Sequence, residues 1–212
     1  MKRLVQVILP VLLMGLAACG SQQEQPGAAT ETPAADKAVV PASPADLEAL
    51  PVSTADLGAF PFFNLPDGFV RSEASERALE QKYVFPDGGL LTIEGRYHHA
   101  RIFAVEGNEW NETLLLRSFD DRIKALGGVQ IFDGGLPDAA RAKIDADKPR
   151  FALDLYDPAP YRFRQYVIRT PEGRVWIEVG YGYNAEMADL TIVQEGQVRQ
   201  TITQITSDAI DR

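Results

Sequence analysis

The 212-residue chain carries 21 Lys and Arg against 30 Asp and Glu, a net charge of −9, with 45% hydrophobic residues and one cysteine. So acidic a chain is repelled by phosphate backbones, so nucleic acid is not an expected partner. A single cysteine leaves no intrachain disulfide, so the fold must be stabilised by its core.

Lys2 and Arg3 precede the apolar run Leu4–Leu16, and the small residues Ala17 and Ala18 lead to Cys19. A positive start, an apolar stretch and small residues before a cut site are the parts of a secretory signal. The four residues Leu16, Ala17, Ala18 and Cys19 resemble the lipobox of bacterial lipoproteins. That resemblance implies cleavage before Cys19, a diacylglycerol on its sulfur and an acylated new amino terminus. Residues 1–18 are therefore read as a signal peptide, and losing Lys2 and Arg3 takes the net charge to −11. Each buried methylene contributes about 0.8 kcal/mol, so several acyl chains together hold stably. No other apolar run approaches the roughly 20 residues of a membrane-spanning helix. Membrane contact is expected through the lipid alone.

Residues 19–54 are rich in Ala, Pro, Thr and acids and contain no aromatic residue. Such a stretch buries too little apolar surface to offset the entropy of ordering it, which predicts a disordered tether. Within it, Ser43 as cap and Pro44 in the first turn allow a short helix over 44–50.

Residues 55–212 read as one domain. Three turns share a chemistry: Leu65-Pro66-Asp67-Gly68, Phe85-Pro86-Asp87-Gly88 and Thr170-Pro171-Glu172-Gly173. Proline presets φ and glycine takes the left-handed position, so the second and third are expected to be hairpin loops with a bulge. Strand-like runs at 96–105 and 129–132 flank a segment of helical period, with Leu115, Phe119, Ile123 and Leu126 on one stripe. Asn108 or Asn111 can cap that helix, expected over about 111–126, and Gly127-Gly128 stops it. A shorter helix is expected from Asp138 to about Ile144. After the third turn, Val175, Ile177, Val179, Tyr181 and Tyr183 alternate with Arg174, Trp176, Glu178, Gly180 and Gly182, the period of a half-buried strand. A further strand covers 188–194. The segment holding Val198, Ile202 and Ile205 has helical spacing but strand-favouring residues. The sum is an α+β domain, a mostly antiparallel sheet with one main helix packed on one face.

Candidate chemistry is sparse. His98 and His99 are adjacent on a strand and point to opposite faces, so they cannot chelate one metal together. One is expected half-buried and the other on the surface. Asp120-Asp121 lies on the polar side of the helix, and the pairs Asp145/Asp147 and Asp154/Asp157 have no fixed geometry. Gly180-Tyr181-Gly182-Tyr183 lacks the lysine and hydroxyl residue of a phosphate loop. No catalytic set, metal site or cofactor is expected. Two readings of Trp176 stay open: packing under the helix, or an aromatic–basic surface with Arg162 and Arg164 for a sugar or a partner protein.

Asp56-Leu57-Gly58-Ala59-Phe60-Pro61-Phe62-Phe63 and Leu65-Pro66-x-Gly68-Phe69 open a series of matching motifs. Val84-Phe85, Ile93-Glu94-Gly95-Arg96, Leu126-Gly127-Gly128, Tyr166-Val167-Ile168-Arg169-Thr170-Pro171 and Val175-Trp176-Ile177-Glu178-Val179 follow in order. Together, over residues 56–195, they resemble the N-terminal domain of OmpA-family envelope lipoproteins. Members generally continue into a C-terminal peptidoglycan-binding domain. This chain ends at Arg212 with none of that domain's helix motif, so peptidoglycan binding does not transfer. The resemblance implies an envelope lipoprotein, and Gly20 after Cys19 favours the outer membrane with the domain facing the periplasm. The expected role is a non-enzymatic accessory or interaction module with an envelope protein partner. The alternative is a periplasmic small-ligand or glycan-binding lipoprotein.

Overall fold

A computed structural model of the chain describes residues 44–149, 162–183 and 185–196. Six strands form one sheet: β1 Phe69–Val84, β2 Leu91–Ala104, β3 Val129–Gly134, β4 Arg162–Thr170, β5 Gly173–Tyr181 and β6 Met187–Gln194. Their spatial order is β1-β2-β6-β5-β4-β3, and every neighbouring pair is antiparallel. Among the described residues three helices accompany it: α1 Pro44–Ala49, α2 Glu112–Ala125 and α3 Asp138–Asp147. Mixed α+β with a dominant antiparallel sheet is therefore the observed class. Between β2 and β3 the chain passes through α2, crossing from one side of the sheet to its far edge.

Helix α2 forms where its stripe predicts. The Asn111 side chain accepts the Leu114 N–H at 2.9 Å, filling one orphan donor of the first turn. At the other end Gly127 takes φ +79°, and the Gly127 and Gly128 N–H groups bond back to the carbonyls of Lys124 and Ile123. A Cβ on Gly128 would lie 2.4 Å from the Ile123 side chain, so only glycine lets the chain turn this tightly into β3. Leu115, Phe119, Ile123 and Leu126 pack on Ile102, Tyr166, Ile168, Ile177, Val179 and Leu190 of the sheet. Full burial of each such side chain contributes about 1.5–3 kcal/mol.

The opposite face of the sheet is buried as well. Trp176, Val167, Val193, Ile93 and Tyr97 pack there with Leu47 and Leu50. This corrects two expectations. β5 is buried on both faces rather than half-buried, because α1 and the ends of β1 and β2 supply a second layer. Residues 44–54, read as part of the disordered tether, instead belong to the packed domain. Leu47 is fully buried, Val52 makes a parallel bridge to Arg169, and the Ser53 N–H bonds the Arg169 carbonyl at 2.7 Å. The Arg169 guanidinium donates to the carbonyls of Glu48 and Leu50, and Glu48 pairs with both Arg169 and Arg174. Two leucines and one glutamate thus outweigh the polar composition around them.

The sheet also curls. A flat sheet would place β1 and β3 about five strand spacings apart, roughly 24 Å. Instead Phe85, at the end of β1, stacks edge-on against Phe132 of β3 and Phe163 of β4, with ring centroids 5.3 and 5.9 Å apart. The bend falls at Gly95, where a Cβ would sit 2.2 Å from the Gln194 carbonyl oxygen. There β2 parts from β6 and carries the β1–β2 hairpin over the concave face. The two predicted hairpin loops also differ from expectation. Thr170 pairs directly with Gly173 across a two-residue turn without a bulge, and the β1–β2 loop holds a 3-10 turn at Pro86–Gly88.

Candidate functional site

The curled sheet seals a polar cluster that the sequence reading missed. Lys82 Nζ lies 2.8 Å from Glu178 Oε1, with both side chains almost fully buried. Gln165 Nε2 donates to Glu178 Oε2 at 2.5 Å, while Gln165 Oε1 accepts the Phe85 N–H at 2.7 Å. Burial pushes the Lys82 ammonium below the ordinary lysine range, and the carboxylates of Glu178 and Asp189 oppose that push. Nearby Thr191 is buried, and burial holds the Tyr97 phenol well above its ordinary range. The sequence signal was Glu178, a charged residue on the otherwise apolar run Val175–Tyr181; Lys82 carried none, because β1 is rich in charged residues and only its last three residues are buried. A sealed, paired and hydrogen-bonded amine locks the hairpin to the sheet; it is not placed to meet a substrate.

The proposed aromatic–basic surface does not exist as one surface. Trp176 is 2% exposed on the concave face, against Leu47 and Leu50. It packs beneath α1, not under the main helix, which lies on the other face. Arg162 and Arg164 pair with Tyr181 and Val179, so they share the α2 face and turn away from Trp176. There they hold Asp133: Arg162 Nη2 at 2.9 Å, Arg164 Nε at 2.8 Å and the Tyr181 hydroxyl at 2.5 Å all donate to its carboxylate. Burial acts to raise the Asp133 pKa, but these three donors prevail and hold it below the usual carboxylate range. Arg162 stays half exposed, so the cluster's basic edge faces solvent.

The other candidates are structural in their contacts. His98 is buried, beyond the expected half-burial, with its ring edge-on to Phe60 at 6.2 Å and Nδ1 3.5 Å from Glu76. Burial and the Arg71 guanidinium lower its pKa, so it is neutral at neutral pH. His99, expected on the surface if its neighbour was inside, is only partly exposed and lies 3.3 Å from Asp189. Asp120 pairs with Lys124 and accepts from Tyr166, Asp121 pairs with Arg117, and Asp147 pairs with Lys143. Asp154 and Asp157 lie outside the described residues, as do Cys19, the lipobox residues and the 198–205 segment. Among the described residues no group of three His, Cys, Asp or Glu side chains could hold a metal ion. No described helix is long and apolar enough to cross a membrane.

Two clefts border the segment 53–66. The larger, of about 450 Å³, lies between Ser53–Gly58 and the β4–β5 turn, with Asp56 and Glu172 on its walls and Leu57, Phe62 and Val175 at its base. The smaller, of about 170 Å³, opens between Phe63–Pro66 and the middle of α2. No family model, curated protein or solved structure matches the chain.

Proposed function

We propose that the chain is a lipid-anchored accessory protein of the bacterial cell envelope. Its domain serves as a non-enzymatic interaction module on the periplasmic side of the outer membrane. The observation that carries this reading is the lipobox Leu16-Ala17-Ala18-Cys19 directly behind a positive, apolar start. The domain's own chemistry supports it, since Lys82, Glu178, Asp133 and His98 are all engaged in holding strands and loops together. By sequence, 24 residues separate Cys19 from Pro44, the first residue of α1. At roughly 3.5 Å per residue fully extended, the domain can act no farther than about 85 Å from its anchor. Any partner is therefore within the envelope.

The test is metabolic labelling with an alkyne fatty acid, followed by detergent phase partition. Wild-type protein should carry the label and enter the detergent phase, and Cys19→Ser should do neither. An unlabelled wild-type protein in the aqueous phase would end this reading. Crosslinked envelopes then test the module: a partner recovered by the lipidated protein should also be recovered by the Cys19→Ser form if the domain supplies the contact.

A further inference from the structure

The smaller cleft has the chemistry of a receptor for a chain end. Its floor is aromatic: Phe63 and Phe119 are buried with ring centroids 6.3 Å apart. Leu65 and Pro66 form one wall. The loop that carries them is fixed, because the Arg71 guanidinium donates to the Phe63 carbonyl. At about 170 Å³ the space falls below the roughly 300–1,000 Å³ of drug-sized sites, and suits one apolar side chain.

The rim supplies a cation without a carboxylate partner among the described residues. Every acid of α2 is engaged: Glu112 accepts the Gly182 N–H, Asp120 holds Lys124 and Asp121 holds Arg117. Arg122, exposed at the mouth of the cleft, pairs with no carboxylate among the described residues. The Asn64 amide on the opposite rim is likewise uncommitted there, whereas the Ser118 hydroxyl already donates to the Leu114 carbonyl. A guanidinium and an amide flanking an apolar floor match a carboxylate attached to an apolar group. The lining contains no anion. A free amino acid would thus bring an ammonium with nothing to receive it, and a long acyl chain exceeds the space.

The geometry points to recognition of the carboxyl-terminal residue of a partner protein, its apolar side chain on Phe63 and Phe119 and its carboxylate on Arg122 and Asn64. This rests on the interaction-module reading and names the contact. The test uses the mature lipidated protein in detergent micelles and a fluorescein-labelled glycine–serine hexapeptide ending in phenylalanine. Anisotropy compares the free acid with its terminal amide. The acid should bind about five- to tenfold more tightly than the amide, the scale of one rim-exposed, charge-assisted contact. Arg122→Gln should bring the acid down to the amide, and Arg117→Gln, a neighbouring cation outside the cleft, should change nothing. Free phenylalanine should compete poorly. Equal binding of acid and amide, no binding at millimolar peptide, or an unchanged Arg122→Gln would each overturn the site. Envelope crosslinking separates the two failures: a partner still captured by Arg122→Gln leaves the module standing without this cleft.

Discussion

The buried pair Lys82–Glu178 sets up an asymmetric mutational outcome. Lys82→Met alone leaves the Glu178 carboxylate buried beside Gln165, and Glu178→Leu alone leaves an ammonium sealed under the hairpin. Stranding either charge should cost about 3–5 kcal/mol. Against the roughly 5–15 kcal/mol that holds a domain folded, each single change removes a large fraction. In a domain of this size that corresponds to a fall in Tm of about 6–20 °C. The double replacement removes both charges and both desolvation penalties, and Gln165 keeps the Phe85 N–H. It should therefore cost less than either single change, although the singles sum to roughly 6–10 kcal/mol. Urea titration of the mature chain carrying Cys19→Ser, with the four forms compared at constant m-value, measures the cycle. A double variant whose loss equals that sum would refute a directly coupled, buried pair, and with it the curl that brings β1 over β5.

Other changes probe separate features. Leu47→Ala should destabilise by about 2–5 kcal/mol in the same titration, because Leu47 is fully buried against Trp176, whereas deleting residues 20–43 should leave the midpoint unmoved. Gln165→Leu orphans the buried Phe85 N–H and should cost about 1–3 kcal/mol. For pH, His98 has a folded pKa below its unfolded value of about 6.5, so the unfolded chain binds the proton first. Stability should then fall as pH drops through about 6.5, and His98→Gln should flatten that slope in a Tm series. The facing groups Arg71 and Glu76, and the neighbouring His99, stay in place in that comparison. Asp133 and Asp189, with depressed pKa values, add a second loss only at more acid pH, below about 4.

Much of the fold was readable because local signals agreed with the tertiary context. The α2 stripe, its Asn111 cap and the Gly127-Gly128 stop each point to one helix, and all three operate. The short helix allowed over 44–50 forms as α1, but its packing into the domain was not readable in the same way. Six residues of ordinary composition carry no periodicity to separate from their surroundings, and their order comes from Arg169 and Arg174 more than 100 residues away. Curling of the sheet was equally hidden. Gly95 reads as one weak strand residue until Gln194 is seen against it.

The failure over Trp176, Arg162 and Arg164 has a sharper cause, since the needed information was local. A two-residue turn at Pro171-Glu172 makes Thr170 face Gly173, and each step away from the turn then pairs one residue on either side. That register puts Trp176 opposite Val167, and Arg162 and Arg164 opposite Tyr181 and Val179. Directly opposed residues share a face, so even numbers on β4 lie with odd numbers on β5. Trp176 and the two arginines are then on opposite faces whatever the rest of the domain does. A bulge in the loop would have shifted the register by one and brought them together, which is the arrangement the aromatic–basic surface required. Inserting one glycine between Pro171 and Glu172 probes that dependence. A slip running the length of β5 would turn Trp176, Glu178 and Gly180 out of the concave face, a change the Lys82 pair opposes. The insertion should therefore be absorbed within the loop, with Trp176 fluorescence, read in a Trp110→Phe background, still shielded from iodide quenching. Quenching equal to that of an unfolded control would show that the turn alone, and not the buried face, holds the register.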